Sequence, residues 1–147
     1  MTALEIGVAL PARLYAVTRA DLVRYAGASG DLNPIHWSDR VAGSVGLPGV
    51  IAHGMFTMAL AARALDEWAG GPGRVRQLGC KFTKPLVVPD DDDGALVRVE
   101  GTVTAVDGAD VTVSLEVTSG GEKILGMPRA VLDLSAGGTD AGEAHGG

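Results

Sequence analysis

Residues 28–39, ASGDLNPIHWSD, combine side chains that can carry protons with residues that fix the shape of a loop. Asp31 and His36 stand five residues apart, and Asn33 and Pro34 lie between them. A histidine exchanges protons near neutral pH, and a neighbouring carboxylate can orient it and tune it. If the loop brings the two side chains together, they can hold a water molecule and move protons to and from a ligand.

The residues around this pair predict a rigid loop. Gly30 can adopt backbone conformations that other residues avoid. Pro34 fixes its own φ and favours an extended conformation for Asn33, whose side chain can bond to the neighbouring backbone. The loop is therefore expected to present Asp31 and His36 in a fixed arrangement.

Two other interpretations of the same residues remain open from spacing alone. An aspartate and a histidine in a loop also fit a structural or solvated pair, because only geometry makes a dyad. A metal site is the third interpretation, but Asp31, His36 and His53 show none of the recognised ligand spacings. We expect neither a metal nor another cofactor.

Length and composition predict one compact domain. The chain has 147 residues, of which 46% are hydrophobic, and we place a single domain at residues 1–135. Residues 136–147 are small, polar and rich in glycine, so we expect a disordered tail. No apolar run is long enough to cross a bilayer, and the beginning of the chain does not resemble a signal peptide. The single cysteine, Cys80, rules out an internal disulfide and suggests a reducing cytoplasm.

The charge pattern argues against nucleic acid as a partner. The formal net charge is −6, and four acidic residues stand together at positions 90–93. No basic face is evident of the kind that nucleic-acid binding requires. We interpret the acidic run as a solvated turn between strands, with a cation or partner site as the alternative.

The first third of the chain predicts a strand followed by two short helices. A strand is expected over residues 14–17, and Thr18 with Asp21 forms a variant capping box at the start of a helix that ends near residue 28. Ser38 can cap a second helix over residues 39–45. The residues expected to face inward on the first helix are Leu22, Val23 and Ala26.

A long apolar helix and an antiparallel sheet are expected to follow. The helix spans about residues 54–69, and its first turns are apolar on nearly every side, which predicts that they are buried all round. Beyond it, hydrophobic residues alternate with polar ones along four strands, and Asp107-Gly108 and Gly120-Gly121 occupy hairpin positions. Pro128 suggests an edge or a bulge in the last strand. The pattern predicts an α+β fold, a single hotdog, in which a curved antiparallel sheet wraps around a central helix.

Residues 25–42, YAGASGDLNPIHWSDRVA, resemble the hydratase-2 signature of the MaoC-like (R)-specific hydratases and dehydratases, and within that family most of all the heterodimeric dehydratases. The signature contains an aromatic residue, Gly-Asp-x-Asn-Pro, an aliphatic residue, a histidine and, after five residues, alanine or serine. A second hallmark, His-Gly-Met at the start of the central helix, is present in AHGM at residues 52–55. The resemblance covers roughly residues 14–134.

The resemblance implies a function and a role for each residue of the site. It implies that the chain interconverts (3R)-hydroxyacyl thioesters and trans-2-enoyl thioesters plus water, with Asp31 and His36 as the catalytic dyad. It places the backbone N–H of Gly54 at the thioester carbonyl, where a helix N-terminus stabilises negative charge. His53 is a secondary candidate, for a local structural role ahead of a catalytic one.

The resemblance also implies partners. The substrate would be carried on CoA or on an acyl carrier protein, and the chain would form a homodimer or a heterodimer with a homologous hotdog subunit, since one flank of a single hotdog sheet is open. Two alternatives remain, a hotdog thioesterase and a non-catalytic partner subunit of a dehydratase. A thioesterase needs a carboxylate to direct water, often on the central helix, but here Asp66 and Glu67 stand at the far end.

Overall fold

The computed structural model describes residues 4–135, so the tail expected at residues 136–147 lies outside the described part of the chain. A 3₁₀ turn at Pro34–His36 joins the first two helices. The helices are α1 (Arg19–Ser29), α2 (Asp39–Ser44) and α3 (Gly54–Ala69). The strands are β1 (Ala9–Val17), β2 (Val75–Phe82), β3 (Ala95–Asp107), β4 (Asp110–Ser119), β5 (Glu122–Lys123) and β6 (Leu125–Asp133).

The strands form one open antiparallel sheet in the order β1-β3-β4-β6-β2, and β5 pairs with β4 beside this path. Strands β3 and β4 alternate buried and exposed residues, as the period-two pattern predicted. Their buried valines, among them Val97, Val99, Val113 and Val117, are fully enclosed. The antiparallel sheet and the central helix that the sequence predicted are therefore confirmed.

Helix α3 lies against the buried face of this sheet. A Cβ atom at Gly101 of β3 would lie 2.9 Å from the Trp68 ring, so the glycine allows the helix and the strand to approach closely. Trp68 also donates a hydrogen bond of 2.8 Å from Nε1 to the carbonyl oxygen of Pro11 in β1. These contacts fix the C-terminal half of α3 and leave its N-terminus at the edge of the sheet formed by β2.

Several sequence predictions need correction. Strand β1 begins at Ala9 instead of residue 14, because its pairing with β3 continues across a register shift between Leu10 and Arg13. Val23 is 61% exposed, since it lies off the helical face that buries Leu22 and Ala26.

Two further corrections concern the central helix and β2, and one expectation for the last strand is met. The start of α3 is not buried all round, because Met55 is 56% exposed. The period-two alternation places Phe82 on one face of its strand with Leu78 and Cys80, but Phe82 is 57% exposed at the end of β2. At Pro128 an edge or a bulge was expected, and the register shift between β6 and β2 shows that it is a bulge, since β6 lies between β4 and β2.

Two smaller points follow from burial and helix length. Cys80 is half-buried, and burial raises the pKa of its thiol, which favours the unreactive protonated form. Among residues 4–135, no helix is both long enough and apolar enough to span a membrane.

Candidate active site

Helix α1 ends where the loop that carries Asp31 and His36 begins. Thr18 and Asp21 form a reciprocal capping box at its start, in which each side chain accepts a hydrogen bond from the backbone of the other residue. The helix stops at Gly30, whose φ of 75° is left-handed and whose N–H bonds to the carbonyl of Ala26. Because glycine adopts this conformation with little strain, the chain can turn sharply into Asp31.

Short-range hydrogen bonds hold the loop itself. The N–H of Asp31 donates to Oγ of Ser29 at 3.1 Å, and the N–H of Asn33 donates to Oδ1 of Asp31 at 3.2 Å. The N–H of Ile35 in turn donates to Oδ1 of Asn33 at 3.3 Å. Pro34 then opens the 3₁₀ turn that carries His36. Asn33 therefore bonds to the loop backbone, as the local-support role expected from the sequence requires.

The loop places one nitrogen of His36 near the Asp31 carboxylate. The side chain of His36 is buried, and its Nδ1 lies 2.7 Å from the carbonyl oxygen of Ile51. A carbonyl oxygen can only accept a hydrogen bond, so Nδ1 carries a proton and Nε2 is the free basic nitrogen of the neutral ring. Nε2 lies 3.9 Å from Oδ2 of Asp31, which is half-exposed. That separation is too long for a direct hydrogen bond and allows a bridging water at about 2.8 Å from each atom.

His53 contacts both members of the pair. Its ring stacks on His36 with the centroids 3.8 Å apart, and Tyr25 meets it edge-on at 4.7 Å. Nε2 of His53 lies 3.1 Å from the backbone carbonyl oxygen of Asp31 and donates to it. His53 therefore tethers the Asp31 backbone to the start of α3, which supports a structural role.

Asp31, His36 and His53 also form a group whose ligand atoms lie within 4.8 Å of one another. A tetrahedral zinc site with bonds of about 2.0–2.1 Å would bring neighbouring ligand atoms to about 3.3 Å. The Nε2–Oδ2 separation of 3.9 Å is wider. This arrangement fits proton transfer better than metal binding.

The N-terminus of α3 faces the same region. Within residues 4–135, the amides of Gly54 and Met55 donate to no protein atom, and no side chain caps the helix. Free N–H groups and the positive end of the helix dipole attract a partly negative oxygen. A Cβ atom at Gly54 would lie 3.0 Å from the Phe82 ring, so the absence of a side chain leaves both the amide and the ring in place.

A cavity of about 560 Å³ connects these groups. Asp31, His53 and Gly54 line it at one place, and Asp31 is its one carboxylate. His36 is not on the cavity wall, but its Nε2 lies 3.9 Å from the carboxylate of Asp31, which is. The rest of the wall is largely apolar and draws on segments far apart in the chain, including Ile51, Ala52, Met55, Phe82, Pro85, Leu86, Ile124 and Leu125.

Helices α1 and α2, which flank the loop, are joined by an ion pair. The Arg19 guanidinium bonds to both carboxylate oxygens of Asp39, at 3.3 and 2.9 Å, and lowers the pKa of that carboxyl below its usual value. The Nε of Arg19 also donates to the carbonyl of Val88 at 2.6 Å. The ion pair thus joins the start of α1 to the start of α2, where the loop ends.

Sequence reasoning had singled out Asp31, His36, His53 and Gly54, and the structure brings all four together. It had not identified the Ile51 carbonyl that fixes the tautomer of His36, because no local pattern marks an acceptor fifteen residues away. It had also assigned no chemistry to Tyr25, although an aromatic residue at that position belongs to the signature.

Comparison with known proteins places these residues in a family. The model of the MaoC like domain matches residues 6–121. The chain is 42% identical over 79 residues to 3-hydroxyacyl-thioester dehydratase X of Mycobacterium tuberculosis, a match that covers 54% of this chain and 27% of that protein. The chain thus spans about a quarter of the length of this curated relative.

Solved structures agree with that match. A MaoC-like dehydratase superposes with a TM-score of 0.85 at 36% identity, over 90% of this chain and 41% of that one. The R-hydratase PhaJ1 from Pseudomonas aeruginosa superposes with a TM-score of 0.76 at 26% identity, over 88% and 81% of the two chains. With the family match over most of its length and the hotdog architecture of these structures, the chain belongs to the MaoC-like domain family.

Proposed function

We propose that the chain is an (R)-specific hydro-lyase that interconverts (3R)-hydroxyacyl thioesters and trans-2-enoyl thioesters plus water. The observation that carries the proposal is the placement of Asp31 and the Gly54 amide at one cavity, with Nε2 of His36 3.9 Å from the Asp31 carboxylate. The similarity to a 3-hydroxyacyl-thioester dehydratase and to an R-hydratase supports the same reaction.

The reaction needs two proton transfers and a site for negative charge. In the dehydration direction, a base removes the proton from C2, and the hydroxyl group at C3 leaves as water after it gains a proton. Charge that develops at C2 spreads to the thioester oxygen, where the free Gly54 N–H can bond to it; one such donor is worth about 3 kcal/mol in other enzymes. In the hydration direction, water held between His36 Nε2 and Asp31 Oδ2 supplies the hydroxyl group to C3 and the proton to C2.

A thioesterase is the competing hypothesis. That reaction would require a carboxylate that directs water at the thioester carbonyl. The first turn of α3 carries no acidic residue, and Asp31 is the one carboxylate on the cavity wall. The alternative of a non-catalytic partner subunit does not explain an intact pair beside an open helix N-terminus. Release of free thiol from an acyl-CoA, measured beside hydration, separates the two enzymatic hypotheses.

The stereochemistry of hydration tests the geometry directly. One loop carries both members of the pair, and the Gly54 N–H fixes the carbonyl, so water should reach a single face of the double bond. We expect the purified chain, alone or with its partner subunit, to convert crotonyl-CoA into (3R)-hydroxybutyryl-CoA. Chiral chromatography of the hydrolysed product measures the enantiomers, and an S or racemic product would contradict the proposed geometry.

We further propose that the working unit is a hotdog dimer, as a homodimer or with a homologous subunit. Met55 and Phe82 beside the cavity are 56% and 57% exposed, and Met127 on neighbouring β6 is 80% exposed. Strand β2 is also an edge of the sheet, with backbone groups free to pair. The substrate would be an acyl-CoA or an acyl carrier protein thioester, and the proposed location remains the cytoplasm.

Sedimentation velocity tests the proposed assembly. At micromolar concentration we expect a dimer of the chain or, with a homologous subunit present, a heterodimer, because burial of this apolar surface stabilises association. Phe82→Glu should shift the equilibrium toward the monomer, whereas Val106→Glu, which replaces a 41%-exposed side chain in β3, should not. A fully active wild-type monomer would refute the dimer.

A further inference from the structure

His53 is a buried histidine to which the proposed reaction assigns no proton. The residue is 2% exposed, and its carbonyl accepts the N–H groups of Phe56 and Thr57 at 3.0 and 3.3 Å at the start of α3. Its Nε2 donates to the carbonyl oxygen of Asp31, and its Nδ1 is enclosed without a hydrogen-bond partner among residues 4–135. Because one nitrogen is bonded and the other is enclosed, His53 does not act as an acid or a base on a ligand in the cavity.

The unpartnered Nδ1 makes histidine unfavourable for packing alone. A buried polar atom without a hydrogen bond lowers the stability of the fold. A phenylalanine ring would fill nearly the same space without that cost, but it could not donate to Asp31. The histidine is therefore explained by the contacts of its ring and of its Nε2, and not by the space that it fills.

The hydrogen bond from His53 is the long-range contact of the loop that carries Asp31. Within the described part of the chain, it is the one hydrogen bond that reaches residues 30–34 from beyond residue 38. The other bonds of this segment join neighbours, such as the bond from the N–H of Asn33 to Oδ1 of Asp31. The Asp31 side chain is 52% exposed, so the surrounding packing holds it only in part.

The ring of His53 also restricts the direction in which His36 faces. Nδ1 of His36 lies 2.7 Å from the carbonyl oxygen of Ile51, a single contact about which the ring could still turn. The His53 ring lies against the face of His36, with 3.8 Å between the centroids and 23° between the planes, and blocks that rotation. Tyr25 contacts His53 edge-on at 4.7 Å and supports the stack.

We propose that His53 is a positioning residue, which sets the separation between Nε2 of His36 and Oδ2 of Asp31. Its ring holds the first partner, and its Nε2 holds the backbone of the second. The inference rests on the proposed function, because it assumes that a water molecule bridges these two atoms. The separation of 3.9 Å suits such a water only while both partners keep their places. A misplacement of about 1 Å can lower the rate of an enzyme about 10²-fold.

Two substitutions separate the two contacts. His53→Phe keeps a ring that can stack on His36 but cannot donate to Asp31, whereas His53→Gln keeps a side-chain N–H donor and loses the ring. With crotonyl-CoA, we expect each variant to lower kcat for hydration about ten- to hundredfold. KM should stay within about twofold of the wild-type value, because neither contact is made to the substrate.

Trp68→Phe is the matched control. Like His53→Phe, it changes a buried ring of α3 and removes one N–H donor to a backbone carbonyl, that of Pro11 at 2.8 Å. Because Trp68 lies at the opposite end of the helix, its loss should lower stability and leave kcat near the wild-type value. Urea unfolding gives the folded fraction to which each kcat is referred. A loss of kcat no larger in the His53 variants than in Trp68→Phe, or a loss that appears in KM instead, would overturn the proposal.

Nitrogen NMR tests the arrangement without any reaction. The chain has three histidines, so the ring signals of protein labelled with ¹⁵N-histidine are assigned from His36→Ala and His53→Phe, each of which lacks one set. In the wild type we expect a proton on Nδ1 of His36 and on Nε2 of His53. In His53→Gln, the freed ring of His36 should show a mixture of both N–H forms. A proton on Nδ1 of His53, or unchanged His36 signals in His53→Gln, would contradict the positioning role.

The two kinds of measurement separate this inference from the proposed reaction. The expected NMR signals in the wild type and in His53→Gln, without hydration of crotonyl-CoA, would reject the reaction and keep the role of His53 in holding the pair. Hydration with a normal kcat in both His53 variants would reject that role and keep the reaction.

Discussion

Asp31→Asn and His36→Ala are each expected to lower kcat/KM for hydration of crotonyl-CoA by about 10²–10⁴-fold. Asparagine at position 31 keeps an oxygen that can accept the hydrogen bond from the backbone N–H of Asn33, but its side chain cannot take up and release a proton. Alanine at position 36 removes the free Nε2 that lies 3.9 Å from the carboxylate. Initial rates, taken with circular dichroism to verify the fold, measure both effects.

Asp66→Asn is the matched control for these variants. Asp66 stands on α3, the helix that often carries the water-directing carboxylate of a hotdog thioesterase, but it lies beyond the turns that border the cavity. We expect a near-normal hydration rate from this variant. Near-normal rates from both Asp31→Asn and His36→Ala would instead refute the dyad, and a loss of thiol release in Asp66→Asn would favour the thioesterase.

Gly94→Ala is expected to lower the free energy of unfolding by about 2–5 kcal/mol. Gly94 has a φ of 69°, which costs an alanine about 1–2 kcal/mol. A Cβ atom there would also lie 2.1 Å from the carbonyl oxygen of Val17, so the backbone must move, at about 1–3 kcal/mol. Urea unfolding at a fixed protein concentration measures the loss.

Gly108→Ala separates the two causes. Gly108 has a similar φ of 60°, but no atom lies within 4 Å of a Cβ atom built there. Gly108→Ala should therefore lower the free energy of unfolding by only about 1–2 kcal/mol, the cost of backbone strain alone. If the two variants were equally stable, the close approach of Gly94 to the strand that leads into α1 would contribute nothing.

Local patterns in the sequence predicted the helices whose ends carry capping residues. Thr18 and Asp21 identify the start of α1, and Gly70 after an apolar run identifies the end of α3. The acidic run was interpreted as a solvated turn. In the structure, residues 90–93 are exposed between strands, and Oδ1 of Asp91 accepts from the amide of Gly94 at 2.7 Å.

Contacts between distant segments could not be predicted in this way. His36 bonds to Ile51, and His53 bonds to the carbonyl of Asp31 across 22 residues. Phe82 alternates with core residues along its strand, yet it lies at the end of an edge strand. Its burial there depends on which residues pack against that edge. The motif identified residues that lie close together in the structure, whereas the tautomer of His36 and the tether from His53 follow from tertiary contacts.

The segment from Ile51 to Gly54 constrains how the site can evolve. Within four residues it provides the acceptor for His36, the donor to Asp31 and the free amide at the helix start. An insertion or deletion there would shift all three at once, by about 3.3 Å per residue of extended chain. We therefore expect changes in substrate range to arise from substitutions in the cavity wall, at Leu86, Ile124 and their neighbours, and not from a change in the length of this segment.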